Sequence, residues 1–315
     1  MTTVLVYHDL PISKYLMNQR AGLTVRGVDT SEEALLALPD ADVFVTNPSG
    51  WEDRFLAGLD RGDWVQATSS GYTAFPVETF RERGITFTNA TGNYDAAVSE
   101  HVFALAFALS RGLPTFIDSQ REHDWQREHG TALTDWTGKT MTIVGLGSIG
   151  NTIAERALAF GMDVYGTKRS PDDYEGVLAD ERVIASDDWR SVLPETDLLV
   201  LTVPLTPDTR GMVAAAAFDA LPDSAVLVNV ARGPIVDEAA LVDALEAGDI
   251  SGAGLDVFET EPLPPESPLW ELEDVIITPH VGGRSAVFVE RFADLFLDNY
   301  DRRRAEESLR NAIVE

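Results

Sequence analysis

The run Gly145-Leu146-Gly147-Ser148-Ile149-Gly150 constrains this 315-residue chain more than any other feature. It follows Met141–Val144, an apolar stretch that reads as a strand. It opens Asn151–Phe160, which has helical spacing, and a second strand, Asp163–Tyr165, comes next. GxGxxG alone is a weak signal, but strand, glycine turn, helix and strand together match a dinucleotide-binding α/β unit. In that setting Gly145 permits the tight turn, Gly147 lets the backbone approach a pyrophosphate, and Gly150 lets the helix pack on the strand. The helix N-terminus then offers its amides and positive dipole to the anion. A plain glycine turn is the bland alternative, and the flanking pattern disfavours it.

An acidic residue about 20 positions further on would bind the 2′-hydroxyl of NAD. Here that place, 23 residues beyond Gly145, holds Lys168, in the sequence Thr167-Lys168-Arg169-Ser170. The chain has only three lysines, Lys14, Lys139 and Lys168, so one beside an arginine and a serine is informative. Two cations and a hydroxyl suit a 2′-phosphate, so NADP(H) is expected to be preferred, with NAD(H) possible. A solvated basic turn is the competing reading.

The rest of the chain repeats the strand–helix texture. The start, Met1 to Leu10, reads as a strand, and within it Val4–Tyr7, then Leu23–Val28, Val43–Thr46, Trp64–Ala67 and Ile85–Thr88 read as buried strands. Ser31–Leu38, introduced by the cap-like Thr30 and Ser31, and Glu52–Leu59 have helical spacing. Val98–Leu109 is a long apolar helix broken by Gly112 and Pro114, and a polar, loop-like stretch runs from there to Gly138. Strands follow at Leu198–Thr202, Ala225–Val230, Gly254–Val257 and Val275–Thr278, and the chain after Gly282-Gly283 reads as helical and charged. Such alternation implies α/β architecture, with doubly wound parallel sheets covered on both faces. We expect a domain at 96–282 inserted into a discontinuous domain of 1–95 and 283–315, with hinges near 96 and 282 and a cleft between.

Charge narrows the function classes. The 52 Asp and Glu outnumber the 24 Lys and Arg, for a net charge of −28 spread through the chain. Such a surface repels phosphate backbones and anionic lipid, so neither nucleic acid nor a membrane surface is an expected partner. With no cysteine there is no disulfide, thiolate nucleophile or Cys-ligated metal. No basic segment precedes the first strand, so no signal peptide is expected. Val98–Leu109 carries Glu100 and His101 and is too short to span a bilayer. A cytoplasmic location follows. Acidity with few lysines also fits a high-salt cytoplasm, where a Debye length of about 3 Å at 1 M salt screens carboxylate repulsion. An ordinary acidic cytosolic protein is the alternative.

Three segments at strand ends carry the chemistry: Val228–Gly233 with Arg232, Gly254–Pro262 with Glu259 and Glu261, and Thr278–Gly283 with His280. Ligands of an open parallel sheet bind beyond the carboxyl ends of its strands. An arginine, a carboxylate and a histidine there make an anion clamp and an acid–base pair. Singly, each has a bland reading as a surface ion pair, one acid among many, or a turn histidine. No His, Asp and Glu spacing points to a metal site.

With the glycine loop, these segments resemble the D-isomer-specific 2-hydroxyacid dehydrogenase family. The likeness extends over most of the chain. It takes in Ala97-Val98-Ser99-Glu100-His101, where the family usually has Ala at the place of Ser99, and Asp197–Leu205 with Thr209 and Asn311–Val314. The loop at Lys168 looks like that of the NADP-using glyoxylate/hydroxypyruvate reductase branch. The resemblance implies a Rossmann NAD(P)-binding domain inserted into a flavodoxin-like substrate domain, and reversible reduction of a small 2-oxo acid to the D-2-hydroxy acid. His280 is then the proton donor, Glu261 its partner carboxylate, and Arg232 the binder of the substrate carboxylate. Glu261 is preferred to Glu259 because the family's acid falls five places after the aspartate that Asp256 matches. Ser70 and Gly71 match the loop offering amides to the same carboxylate. Gly145, Gly147, Ser148, Ile149, Gly150, Lys168, Arg169 and Ser170 are cofactor candidates. So are Val203, Pro204, Thr209, Val230, Ala231, Arg232, Asp256, His280 and Gly282.

Ser69–Thr73 lacks the acidic residue the family often places two positions after the glycine, and Tyr72 is bulkier than the usual aliphatic neighbour. The substrate side chain is therefore open. His101 reads as packing on the hinge helix, and His8, His123 and His129 as surface or loop residues. Phe103, Leu105, Phe107 and Leu109 read as core or subunit interface, and the resemblance implies a homodimer through this region. The rivals are a non-catalytic dinucleotide-sensing protein of corepressor type and an NAD-using phosphoglycerate or formate dehydrogenase relative. The first is disfavoured by Arg232, Glu261 and His280 together, the second by the basic loop.

Overall fold

The structure is a computed structural model describing every residue except 8–10, 126, 129, 131 and 132. His8 and His129, read above as loop residues, and Leu10, at the end of the expected starting strand, lie outside the described residues. Two compact units make up the chain, Met1–Tyr94 with Ser285–Glu315, and Asp95–Arg284. The first unit begins with β1 (Thr2–Tyr7), α1 (Ile12–Leu16), β2 (Leu23–Val28), α2 (Ser31–Ala37), β3 (Val43–Thr46), β4 (Trp64–Ala67), α3 (Val77–Arg83) and β5 (Thr86–Thr88). The second holds α4 (Asp95–Ser110), α5 (Leu113–Arg121), β6 (Thr140–Val144), α6 (Ser148–Ala159), β7 (Asp163–Lys168), β8 (Val183–Ala185), β9 (Leu198–Leu201), α7 (Ala215–Phe218), β10 (Val226–Asn229), α8 (Glu238–Ala247), β11 (Gly252–Leu255) and β12 (Val275–Ile277). Finally α9 (Phe288–Arg304) and β13 (Ala312–Val314) return to the first unit.

In the first unit the sheet runs β13-β5-β4-β3-β1-β2, parallel throughout except for β13. Its parallel part has the flavodoxin-like order 2-1-3-4-5. Successive side chains of one strand enter opposite cores. Leu5 and Tyr7 pack with Phe44, Val65 and Phe80, while Val4 and Val6 pack with Trp64, Phe292 and Phe296. Burial on both faces explains why these strands read as unbroken apolar runs. At α2 the expected cap is a full capping box: Thr30 Oγ1 accepts the Glu33 amide (3.2 Å) and the Glu33 carboxylate accepts that of Thr30 (3.3 Å).

The second unit has an all-parallel sheet, β12-β11-β10-β9-β6-β7-β8. Counted from β6, this is the dinucleotide-binding order 3-2-1-4-5-6 with one strand added. Met141, Ile143, Leu198 and Val200 meet Val102 and Ala106 of α4 and Ile153 and Ala157 of α6. Val144, Leu199, Leu201 and Leu227 face the other way, onto Leu241 and Ala244 of α8. Among the described residues no single helix is long and apolar enough to cross a membrane. Only α4 and α5 together pass on length and composition, bent by 69°, and α4 is largely core.

Three local expectations are corrected. Asp53–Gly58, within the expected helix Glu52–Leu59, is a 3₁₀ helix, a form commonly taken by short connecting pieces. The stretch from Gly112 to Gly138 is not all loop, because α5 begins at Leu113. Pro114 lies in its first turn, where the missing N–H costs nothing, so it starts a helix instead of ending one. The chain end is not helical throughout: α9 stops at Arg304, and Ala312–Val314 pairs antiparallel with β5. Asn311, at φ +56°, turns the chain, and its side-chain amide donates to the Thr91 carbonyl (2.7 Å).

Candidate active site

The glycine loop is built by exclusion. Gly145 has φ +111°, and a Cβ there would stand 2.8 Å from Val203 Cγ1. Its amide donates to Thr167 Oγ1 (3.1 Å) and the Leu146 amide to the Thr167 carbonyl (2.7 Å), tying the turn to β7. A Cβ on Gly150 would be 2.1 Å from the Gly145 carbonyl oxygen, so Gly150 serves packing. At Gly147 an added Cβ would meet nothing within 4 Å. Gly147 also caps α6 without a side chain, leaving the first amides and the helix dipole to an outside anion. Ser148 turns its hydroxyl to the Asp95 carboxylate, and Ile149 packs on the core. Burial pushes the Asp95 carboxyl up, against the lowering effect of that bond.

Beside this loop lies a cleft of about 630 Å³, lined by Gly145, Gly147, Lys168, Arg169, Val203, Pro204 and Thr209 among others. Ser148, Ile149, Gly150 and Ser170 do not line it. Thr209 knots its far wall, donating to the Pro204 carbonyl (2.7 Å) and accepting the Thr206 amide (2.8 Å). The Lys168 ammonium sits 5.5 Å over the Tyr174 ring, whose hydroxyl donates to Asn151 of α6 (2.6 Å). Open amides, a cleft and flanking cations fit a phosphorylated dinucleotide. Trp189, Arg190 and Arg210 also line the cleft, and none was singled out from the sequence. They come from the β8–β9 connection and the loop after β9, outside the glycine-loop motif.

Beyond the strand ends, His280 Nδ1 lies 2.7 Å from Glu261 Oε2, and Glu261 Oε1 accepts the Phe258 amide (3.1 Å). The Glu259 amide donates elsewhere, to Glu238 on α8 (3.2 Å). Arg232 is exposed, and one of its N–H groups donates to the Ala231 carbonyl (2.6 Å). The turns after β10 and β11 press together: a Cβ on Gly233 would fall 1.8 Å from the Phe258 carbonyl carbon. Buried Asn229 ties the first turn, accepting the Ala231 amide (3.1 Å) and donating to the Arg232 carbonyl (3.2 Å). Val230 packs partly buried against the core.

Asp256 clasps the segment that carries His280. Its carboxylate accepts the Thr278 hydroxyl (2.6 Å) and the amides of Val281 (2.9 Å) and Gly282 (2.8 Å). Its carbonyl accepts the His280 amide (2.9 Å), with His280 at φ +52°. His101 of α4 completes the clasp, its Nε2 lying 2.9 Å from Thr278 Oγ1 and 3.4 Å from Asp256 Oδ1. Thr278 spends its one proton on Asp256, so it accepts from His101 Nε2–H. Burial raises the Asp256 carboxyl, but the bonds from His101, Thr278, Val281 and Gly282 outweigh it and hold the group below the usual carboxylate range. In the sequence alone His101 shows only a packing role, and its one further signal is the polar Glu100-His101 pair inside an apolar helix.

In the first unit, Ser70 and Gly71 lie on the loop after β4. Their carbonyls are engaged by Asn89 Nδ2 (2.8 Å) and Ser69 Oγ (2.8 Å) respectively. Among the described residues no group of three His, Asp or Glu side chains could hold a metal ion.

The parallel sheet with its glycine loop has the architecture of a dinucleotide-binding domain, and a histidine–carboxylate pair stands beyond its strand ends. The chain belongs to the D-isomer specific 2-hydroxyacid dehydrogenase family, whose NAD binding domain matches residues 103–282. It is 33% identical over 298 residues to glyoxylate/hydroxypyruvate reductase B of Yersinia pestis (strain Pestoides F), covering 93% of this chain and 89% of that one. It is 35% identical over 270 residues, 85% of this chain, to D-3-phosphoglycerate dehydrogenase of Mycobacterium tuberculosis (strain H37Rv), and spans about half (50%) of that relative's length. The NADPH-dependent glyoxylate/hydroxypyruvate reductase of Sinorhizobium meliloti, solved with NADP and malonate, matches with a TM-score of 0.78 and 29% identity, over 99% of this chain and 96% of that one.

Proposed function

We propose that this chain reduces a small 2-oxo acid to the D-2-hydroxy acid, reversibly, with NADPH preferred over NADH. The observation that carries the reading is the 2.7 Å contact of His280 Nδ1 with Glu261, on a turn clasped by Asp256. Glu261 accepts the Nδ1 proton, which orients the ring and leaves Nε2 to exchange a proton with the substrate oxygen. Arg232 binds the substrate carboxylate through its planar fork and polarises the carbonyl. In the first unit, Ser70 and Gly71 are the candidate amide donors for a substrate carboxylate. A nicotinamide dinucleotide held in the cleft would be the hydride donor for reduction and the acceptor for oxidation. Gly147 and the first amides of α6 would hold its pyrophosphate, and Lys168 and Arg169, which line the cleft, its 2′-phosphate. Val203, Pro204, Thr209, Val230, Ala231, Asp256 and Gly282 line it.

The Yersinia relative's reductase name and the Sinorhizobium structure's NADP and malonate support the substrate and cofactor classes. We also propose a cytoplasmic homodimer; the exposed apolar side chains of Leu113, Ile117, Leu158 and Phe160 support a subunit contact around α4. The test is oxidation of NADPH and of NADH with pyruvate, glyoxylate, hydroxypyruvate and a branched 2-oxo acid, and D-3-phosphoglycerate oxidation in parallel. Turnover of at least one 2-oxo acid, faster with NADPH, is expected. Dinucleotide binding without turnover of any substrate would favour a sensing protein instead.

A further inference from the structure

The cleft beside the glycine loop is basic in an acidic protein. Lys168, Arg169, Arg190 and Arg210 face it, against Asp187 and Asp208. That is two cations for each acid, where the whole chain has 24 basic residues to 52 acidic ones. Arg190 stands apart from the other three in how it is held. It lies on the 3₁₀ helix Ser186–Glu195, between Trp189 and the buried pair Val192 and Leu193. Its guanidinium carbon is 4.9 Å above the centroid of the Trp189 ring. One Nη2 proton goes to the Met212 carbonyl, 2.9 Å away. Trp189 is itself buried in the core of the second unit.

These two contacts fix the plane of an exposed guanidinium while using one of its five N–H donors. Among the described residues no carboxylate lies within ion-pair distance of it. A solvated surface arginine would keep its rotamer freedom; this one has already lost it, so little further ordering is needed to bind an anion. The anion is defined by the neighbours. Lys168 and Arg169 share the cleft with Arg190, and they lie at the carboxyl end of β7, where a dinucleotide fold reads the ribose 2′ position.

We infer that Arg190 is a specificity-determining residue, a preoriented fork for the 2′-phosphate of the dinucleotide, acting with Lys168 and Arg169. The inference rests on the NADPH reading proposed above and adds a residue that the glycine-loop motif does not contain. Arg190 donates charge-assisted hydrogen bonds to the phosphate monoester and contributes little to the rest of the nucleotide.

Binding separates the possibilities without turnover. Titrate the full chain with 2′,5′-ADP, which carries the ribose 2′-phosphate, and with 5′-ADP, which lacks it, at a salt concentration where circular dichroism is native. Arg190→Gln should weaken 2′,5′-ADP by about tenfold, the worth of one charge-assisted hydrogen bond, and change 5′-ADP less than about twofold. Arg190→Met keeps an aliphatic stem over Trp189 and should show the same selective loss. An equal loss for both nucleotides would make Arg190 a support for the adenine or the cleft wall and overturn the inference. No loss for either would overturn it too. If the unmodified chain binds the two nucleotides equally, the NADPH reading itself fails; a selective wild type whose Arg190 variants keep the same selectivity sinks this inference alone.

Discussion

His101 and Asp256, on α4 and at the end of β11, meet across the hydroxyl of Thr278, which is 2.9 Å from the imidazole and 2.6 Å from the carboxylate. The same carboxylate holds the amides on the far side of His280. The helix that opens the second unit is thus wired to the turn carrying the proposed proton donor.

Removing His101 should therefore loosen that turn. His101→Ala leaves Thr278 without its donor and is expected to cost about 1–3 kcal/mol in stability. It should also lower kcat while 5′-ADP binding holds. Urea denaturation and steady-state kinetics report the two effects; unchanged values in both would show the clasp to be idle.

Acid should act on the same carboxylate. The folded-state carboxyl of Asp256 is depressed, so its stabilisation is complete above the unfolded value of about 4 and fades as pH falls through the lower folded value. Asp95 has the opposite sign, because burial raises its carboxyl. Its contribution favours folding below pH about 4 and is lost as pH climbs through the raised value. Asp95→Asn is then expected to raise Tm at neutral pH and to leave it unchanged near pH 3, where the wild-type carboxyl is already protonated. A Tm that falls equally at both values would contradict this assignment.

Much of the fold was legible because backbone geometry demanded particular residues. Gly145 and Gly150 sit where a Cβ collides with Val203 or the Gly145 carbonyl, so the glycine loop could be read directly. The strands were legible as apolar runs because both sheet faces are covered. His101 was not legible, since its partner Thr278 lies 177 residues away and no local pattern links them. Arg190 escaped for the same reason: the 3₁₀ helix Ser186–Glu195 enters the cleft from another crossover. At Pro114 the local signal was ambiguous in principle, because proline both ends helices and begins them.

Cofactor choice should follow the basic loop. Replacing Lys168 and Arg169 together by alanine is expected to raise the Kd for NADPH by about tenfold or more and to affect NADH little. Direct titration with each nucleotide decides it, and an equal loss would mean that the loop does not read the 2′ position.

The charge of −28 should make stability depend on salt. With a Debye length of about 10 Å at 0.1 M and 3 Å at 1 M, repulsion between surface carboxylates is relieved only in concentrated salt. The thermal midpoint is expected to climb steadily as KCl rises into the molar range. Equal midpoints in dilute and molar KCl would remove the proposed adaptation to a salty cytoplasm.

The most direct measurement is NADPH oxidation with the panel of 2-oxo acids, by the wild type and by His280→Ala. Wild-type turnover is expected, with kcat falling by about 10²–10⁴ in the variant while NADPH binding holds. Equal turnover by the two proteins would contradict the role given to His280 and its carboxylate partner Glu261.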